Sequence, residues 1–116
     1  MSSAFTTALS ALKAFDIKLD VNANNIANVD TNNFKKSRVK LQESYNGGVE
    51  VNISKINTPG MEIDPNPRTG APQQSSNVTL EEEFVDQIVT QYSFTANTLT
   101  IKTADEMQKE LMDIIA

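Results

Sequence analysis

Four neighbouring carboxylates, Glu81, Glu82, Glu83 and Asp86, are the residues in this chain whose type and spacing come nearest to a reactive site. A carboxylate pair can act as general acid and base in hydrolysis. These four follow Thr79 at the opening of a long segment without Gly or Pro. There Thr79 and Glu82 form a capping box, and anions in the first turn favour the helix dipole. They are therefore expected to cap and solvate a helix start. Histidine and cysteine are both absent. Without them Ser-His and Cys-His nucleophiles, imidazole or thiolate metal sites and disulfides cannot be built. The stretch DPNPRTG, Asp64 to Gly70, opens like a calcium loop but lacks the spaced acidic ligands and the terminal Glu. No glycine-rich phosphate loop followed by Lys-Ser/Thr occurs. These residue types point away from an enzyme, and no cofactor or metal is expected.

The charge balance narrows the partners. The chain has 116 residues and a formal charge of −5, with a pI of about 4.6. A nucleic-acid binder needs cations to displace phosphate counterions, so this balance argues against one. The one basic cluster, Lys35, Lys36, Arg38 and Lys40, has no interleaved aromatics for base stacking and is expected to be a solvated strand or loop face. Hydrophobic residues make up 39% of the chain and the mean hydropathy is −0.35, enough for a modest core. No apolar run approaches the roughly 20 residues that span a bilayer, so no membrane insertion is expected. The opening MSSAFTTALSALKAF has neither a basic n-region nor a continuous apolar run, and no cleavable secretory signal is expected.

The elements that must position any surface are two helices. In residues 4–29, Phe5, Leu12, Leu19 and Ile26 fall at seven-residue intervals, with Ala8, Phe15 and Val29 in the companion row. This is the seam of a helix that packs lengthwise on another. Asn22 interrupts the companion row, either fixing register or facing solvent. Residues 79–115 form a second helix, which at 1.5 Å per residue would reach roughly 54 Å. A compact domain of this size has a radius of gyration near 13 Å, so its own chain cannot cover such a helix along its length. Its apolar residues form two stripes. One runs Val85, Ile88, Tyr92, Ala96, Leu99, Met107, Leu111 and Ile114; the other runs Leu80, Phe84, Phe94, Ile101, Met112 and Ile115. Tyr92 and Phe94 point about 200° apart. The first stripe, with Val85, Ile88, Tyr92 and Leu99, is expected to pair with Phe5, Leu12, Phe15, Leu19 and Ile26. The second needs partners from outside.

Between the helices lie all four Gly and all four Pro. Val39 and Leu41, then Val49, Val51 and Ile53, alternate with polar neighbours as short strands do, and Asn46-Gly47 suits a hairpin turn. Residues 58–77 read as an extended, turn-rich connector. The expected fold is one mainly α domain over 1–116. Its N-terminal helix (1–30) and C-terminal helix (79–116) pair as a coiled-coil-like core, with a short β-hairpin and an extended loop region (31–78) between them.

Two segments carry a resemblance. Asn22 to Lys35, NANNIANVDTNNFK, resembles the N-terminal signature of the flagellar rod and hook proteins, an Asn-rich core followed by Thr, a turn residue, an aromatic and Lys. The family's usual Gly before the aromatic is Asn33 here, and both residues tolerate a left-handed turn conformation. Ser76 to Phe84, SNVTLEEEF, continuing through Phe94-Thr95-Ala96-Asn97 to Thr103-Ala104-Asp105-Glu106-Met107, is similar to the family's C-terminal signature. With their helices the two segments span more than half the chain, in the family's order.

The resemblance implies a structural axial subunit of the bacterial flagellar basal-body rod. Such a subunit polymerises through its terminal helices and transmits torque from motor to hook. It implies export by the flagellar type III apparatus without a cleaved signal, and partners among copies of itself and other rod and hook subunits. The short middle segment implies a compact, proximal-rod type subunit, whereas the C-terminal signature is nearer the distal-rod and hook branch. Asn24, Asn25, Asn28, Phe34, Phe94 and Ile101 are the expected subunit contacts. The alternative is a cytoplasmic helical export chaperone or adaptor acting as a discrete dimer.

Overall fold

The computed structural model describes residues 2–115. Helix α1 (Ser2–Ala27) leads into β1 (Ser37–Glu43) and β2 (Val49–Lys55), then β3 (Glu62–Ile63) and β4 (Gln73–Gln74), and finally α2 (Leu80–Ile115). The mainly α architecture and the β1–β2 hairpin follow the reading of the sequence. The β3–β4 ribbon, paired Glu62 to Gln74 and Ile63 to Gln73, falls within the stretch read as a plain connector.

Helix α1 ends at Ala27 rather than Val29 because asparagine side chains compete for its last backbone groups. The Asn28 Nδ2 donates to the Asn24 carbonyl at 2.9 Å, and the Thr31 hydroxyl donates to Asn28 Oδ1 at 3.0 Å. Helix α2 begins just after Thr79, whose carbonyl accepts the Glu83 N–H at 3.2 Å. The Glu82 side chain does not turn back to complete a capping box; it reaches Lys36 and Arg38 at 2.9 and 2.8 Å. With no Gly or Pro to break it, α2 runs unbroken for 36 residues.

The helices pack antiparallel. Asn22 lies against Glu83, and Lys18 lies 3.9 Å from Asp86. Ala4 and Ala8 share a groove with Asn97 and Thr100. Among the described residues, the buried apolar ones are Ala8, Ala11 and Ala14, all on α1. Alanines allow close helix approach, so the core is thin and the molecule long, 76 × 26 × 18 Å with a radius of gyration of 20.4 Å. Beyond the level of Thr100, residues 106–115 are exposed at every position.

The β1–β2 hairpin lies along one flank of α1. Its Ser37 end meets Asn25, and at its turn the Val49 N–H donates to the Ser10 hydroxyl at 3.0 Å. Gly48 sits at φ 87°, where an added Cβ would be strained and would stand 2.6 Å from the Ser10 hydroxyl, so glycine suits the place where the hairpin tip seats on α1.

Asn33 adopts φ 63°, the left-handed conformation for which Asn and Gly are suited. Its N–H donates to the Gln74 carbonyl at 2.8 Å, and its Oδ1 accepts the Gln74 N–H at 3.0 Å. Asn33→Val is expected to destabilise the fold by about 1–2 kcal/mol through the left-handed penalty alone. Asn33→Gly, which keeps the backbone bond, should lose less in the same thermal denaturation. Equal losses for the two variants would mean that the turn does not depend on the conformation of residue 33.

Candidate functional site

Where α1 ends, β1 starts and α2 starts, polar side chains meet in a buried node. Glu83 is 0% exposed at its centre. The Asn22 and Asn25 Nδ2 groups donate to Glu83 Oε2 at 2.6 and 3.3 Å, and Arg38 Nη1 donates to Oε1 at 2.6 Å. Asn25 also clasps β1, accepting the Ser37 N–H at 3.0 Å and donating to the Ser37 carbonyl at 2.9 Å. Arg38 Nη2 and Lys36 Nζ both bind Glu82 Oε2. Asn77 anchors the chain entering α2. Its Oδ1 accepts the Lys36 N–H at 2.7 Å, and its Nδ2 donates to the Ile56 and Thr58 carbonyls at 2.8 and 3.0 Å.

A carboxylate out of water is tolerated only when it is paired and hydrogen-bonded, and Glu83 has one guanidinium and two amides. Burial alone would lower the Arg38 pKa, but its hydrogen bond to Glu83 and the charges of Glu83, Glu82 and Asp86 raise it. Glu82 is held below its ordinary 4.5, first by the Lys36 hydrogen bond; desolvation opposes this, and the Lys36 and Arg38 charges with the Arg38 hydrogen bond add to the lowering. That depression favours the folded state above the ordinary carboxylate range, and the benefit fades as pH falls through the lowered value. Glu82 is largely solvated, so its share is small.

The node revises two expectations. Glu83 belongs to a run expected to be solvated, yet it is wholly buried. Only Glu81 and Glu82 of the three face water. Lys36 and Arg38, expected on a solvated face, hold α2 against the hairpin with side chains 14% and 25% exposed. Lys35 bonds Gln74 at 2.9 Å and the Thr58 carbonyl at 3.2 Å.

The helix-pairing expectation is revised as well. Val85, Ile88, Tyr92 and Leu99 are 60%, 54%, 75% and 58% exposed. They lie about 140–200° round the helix from Glu83, on the face turned away from α1. Against α1, α2 presents the buried Glu83 and Thr90 instead. Phe5, Leu12, Phe15 and Ile26 are partly covered, and Leu19 is exposed. This row stands beside the alanine contact, where Phe15 and Leu19 line a valley of about 450 Å³ together with Phe94. The small residues at the contact draw the helices together, and large side chains on the same turns are left on the flank.

Among the expected subunit contacts, Asn25 is excluded from the surface, since it is wholly buried on Glu83 and Ser37. Asn24 is exposed, whereas Asn28 is partly covered and bonds locally with Asn24 and Thr31. Phe34 is partly covered, and its carbonyl accepts the Asn77 N–H at 3.4 Å. Phe94 and Ile101 lie on the α1 side of α2, not on its outer face, although Phe94 remains exposed in the valley. Of the two readings of Asn22, solvent exposure falls, because Asn22 is buried against Glu83.

Two protein-family models match the chain. One, described as flagella basal body rod protein, covers residues 5–35. The other, described as flagellar basal body rod FlgEFG protein C-terminal, covers residues 73–114. No curated protein matches. The matched segments supply Asn22 and Asn25 from one side of the node and Asn77, Glu82 and Glu83 from the other.

Proposed function

Because the chain belongs to the flagellar basal body rod and hook family and is a structural component of the rod, we propose that it polymerises as an axial subunit. In this reading its neighbours are copies of itself and related rod and hook proteins, and the assembled shaft transmits torque from motor to hook. The flagellar type III apparatus would deliver it. The length of the segment between the helices favours a compact, proximal-rod type subunit.

The observation that carries the proposal is the outer face of α2. Val85, Ile88, Val89, Tyr92 and Leu99 form an exposed apolar stripe on the side opposite α1. A stripe of that extent on a slender soluble chain is an interaction surface. The face that holds the chain together and the face that could hold subunits together are thus different sides of one helix, and they can be separated by mutation.

The test is the double change Val85→Asp with Tyr92→Asp. Surface changes away from packed features alter stability by about 0.5 kcal/mol or less, so helix content and thermal midpoint should hold. In cells lacking the native copy, motility and incorporation into isolated basal bodies should be lost. Normal motility with the doubly charged face would sink the proposal.

A further inference from the structure

The hairpin tip carries the chain's one Asn-Gly step, Asn46 followed by Gly47. Both residues are exposed, and so is Tyr45 before them. The Gly47 N–H closes a turn on the Ser44 carbonyl at 3.0 Å, and the Ser44 N–H donates to the Gly48 carbonyl at 3.0 Å. Tyr45, Asn46 and Gly47 thus form a short hairpin loop. Gly47 adopts φ 85°, and the space that a Cβ would fill there is open. Among the described residues the Asn46 amide has no hydrogen-bond partner.

An asparagine side-chain carbonyl lies within reach of the next residue's backbone nitrogen, and a side chain on that residue hinders the approach. Every other asparagine in the chain is followed by a residue with a Cβ. Asn52 is the nearest comparison: it is also exposed, but it precedes Ile53, whose backbone is paired with Val39 in the β1–β2 ladder.

We propose that Asn46-Gly47 is a self-modification site that loses its side-chain amide to water, and that the isoaspartate product frees the hairpin tip from α1. Hydroxide takes the proton of the Gly47 N–H, and the nitrogen bonds to Asn46 Cγ. The Cγ–Nδ2 bond breaks, ammonia leaves with a proton from water, and a five-membered imide remains. Water then opens the ring at either carbonyl. Breaking the new Cγ–N bond gives aspartate. Breaking the bond between the residue 46 backbone carbonyl and Gly47 N gives isoaspartate, whose main chain runs through Cβ and Cγ. Asparagine and water become aspartate or isoaspartate and ammonia, without oxidation or reduction. The Ser44 carbonyl shields the Gly47 proton while the turn is closed, and the solvated tip exposes it whenever the loop opens locally.

The tip is also where the hairpin meets the middle of α1. The Val49 N–H donates to the Ser10 hydroxyl at 3.0 Å, and Gly48 stands close against Ser10. Isoaspartate adds a methylene to the main chain just before this contact, so the turn and the seat on Ser10 can no longer both form. Aspartate adds charge and leaves the backbone path unchanged.

Trypsin releases residues 41–55 as one peptide, between Lys40 and Lys55, and it holds both Asn46 and Asn52. The folded full-length chain is aged in mildly alkaline buffer, and this peptide is sequenced by mass spectrometry. Amide loss at residue 46 should run many-fold faster than at residue 52 and be absent from Asn46→Gln. Equal rates at the two positions, or loss confined to a urea-unfolded control, overturn the site. Hydrogen exchange then follows the Val49 amide in the deamidated fraction, its isoaspartate content set by enzymatic methylation. Exchange should be several-fold faster there than in Asn46→Asp, and equal exchange overturns the release of the tip. The rod-subunit reading rests on α2 and is untouched by either outcome.

Discussion

Glu83→Ala is expected to lower folding stability by about 3–5 kcal/mol, the range found when one partner of a buried charge pair is removed. The carboxylate receives the Asn22 and Asn25 amides and the Arg38 guanidinium. Alanine would leave all three donors facing a dry space, each carrying its own desolvation cost. Chemical denaturation followed by circular dichroism measures the loss, with Glu81→Ala as the comparison. Glu81 belongs to the same acidic run but is exposed, so its removal should change stability by about 0.5 kcal/mol or less. Glu83→Gln should fall between the two, since its carbonyl can still accept from Asn22 while the charge facing Arg38 is lost. If Glu83→Ala cost no more than Glu81→Ala, the node would not be what joins α1, the hairpin and α2.

The positions of Glu83 and Asn25 show how far the sequence could be read. Seven-residue periodicity found α1, a helix-start signal followed by a long run without Gly or Pro found α2, alternation found the β1–β2 hairpin, and the paired terminal signatures found the family. Periodicity failed on the choice of faces because it gives most weight to the largest apolar residues. In α1 those residues, Phe5, Leu12, Phe15, Leu19 and Ile26, are continuous, yet the buried positions are Ala8, Ala11, Ala14, Asn22 and Asn25. A signal for this was present. Asn22 and Asn25 stand two heptads beyond Ala8 and Ala11, so the small row passes directly into the polar one. In α2, nothing local separates Glu83 from Glu81 and Glu82. What distinguishes it is Arg38, which lies 45 residues earlier and meets it only through the hairpin. The β3–β4 ribbon is two residues per strand, too short to leave a pattern.

The same choice of faces makes Ala14→Leu the second large effect. Ala14 is buried at the contact between the helices. A leucine there forces the backbones apart or takes a strained rotamer, which typically costs about 1–3 kcal/mol. At Val85, on the outer face, Val85→Leu should change stability by about 0.5 kcal/mol or less, although it adds bulk at a more hydrophobic stripe. The two changes can be compared in one denaturation series. Separation at Ala14 also reaches the node, because Asn22 and Asn25 sit on the same face of α1 two to three turns further on, and their bonds to Glu83 depend on the helix spacing. The cost of Ala14→Leu combined with Glu83→Ala should therefore be smaller than the sum of the single costs, by about 0.5 kcal/mol or more. Strict additivity would mean that the alanine contact and the polar node hold the helices independently.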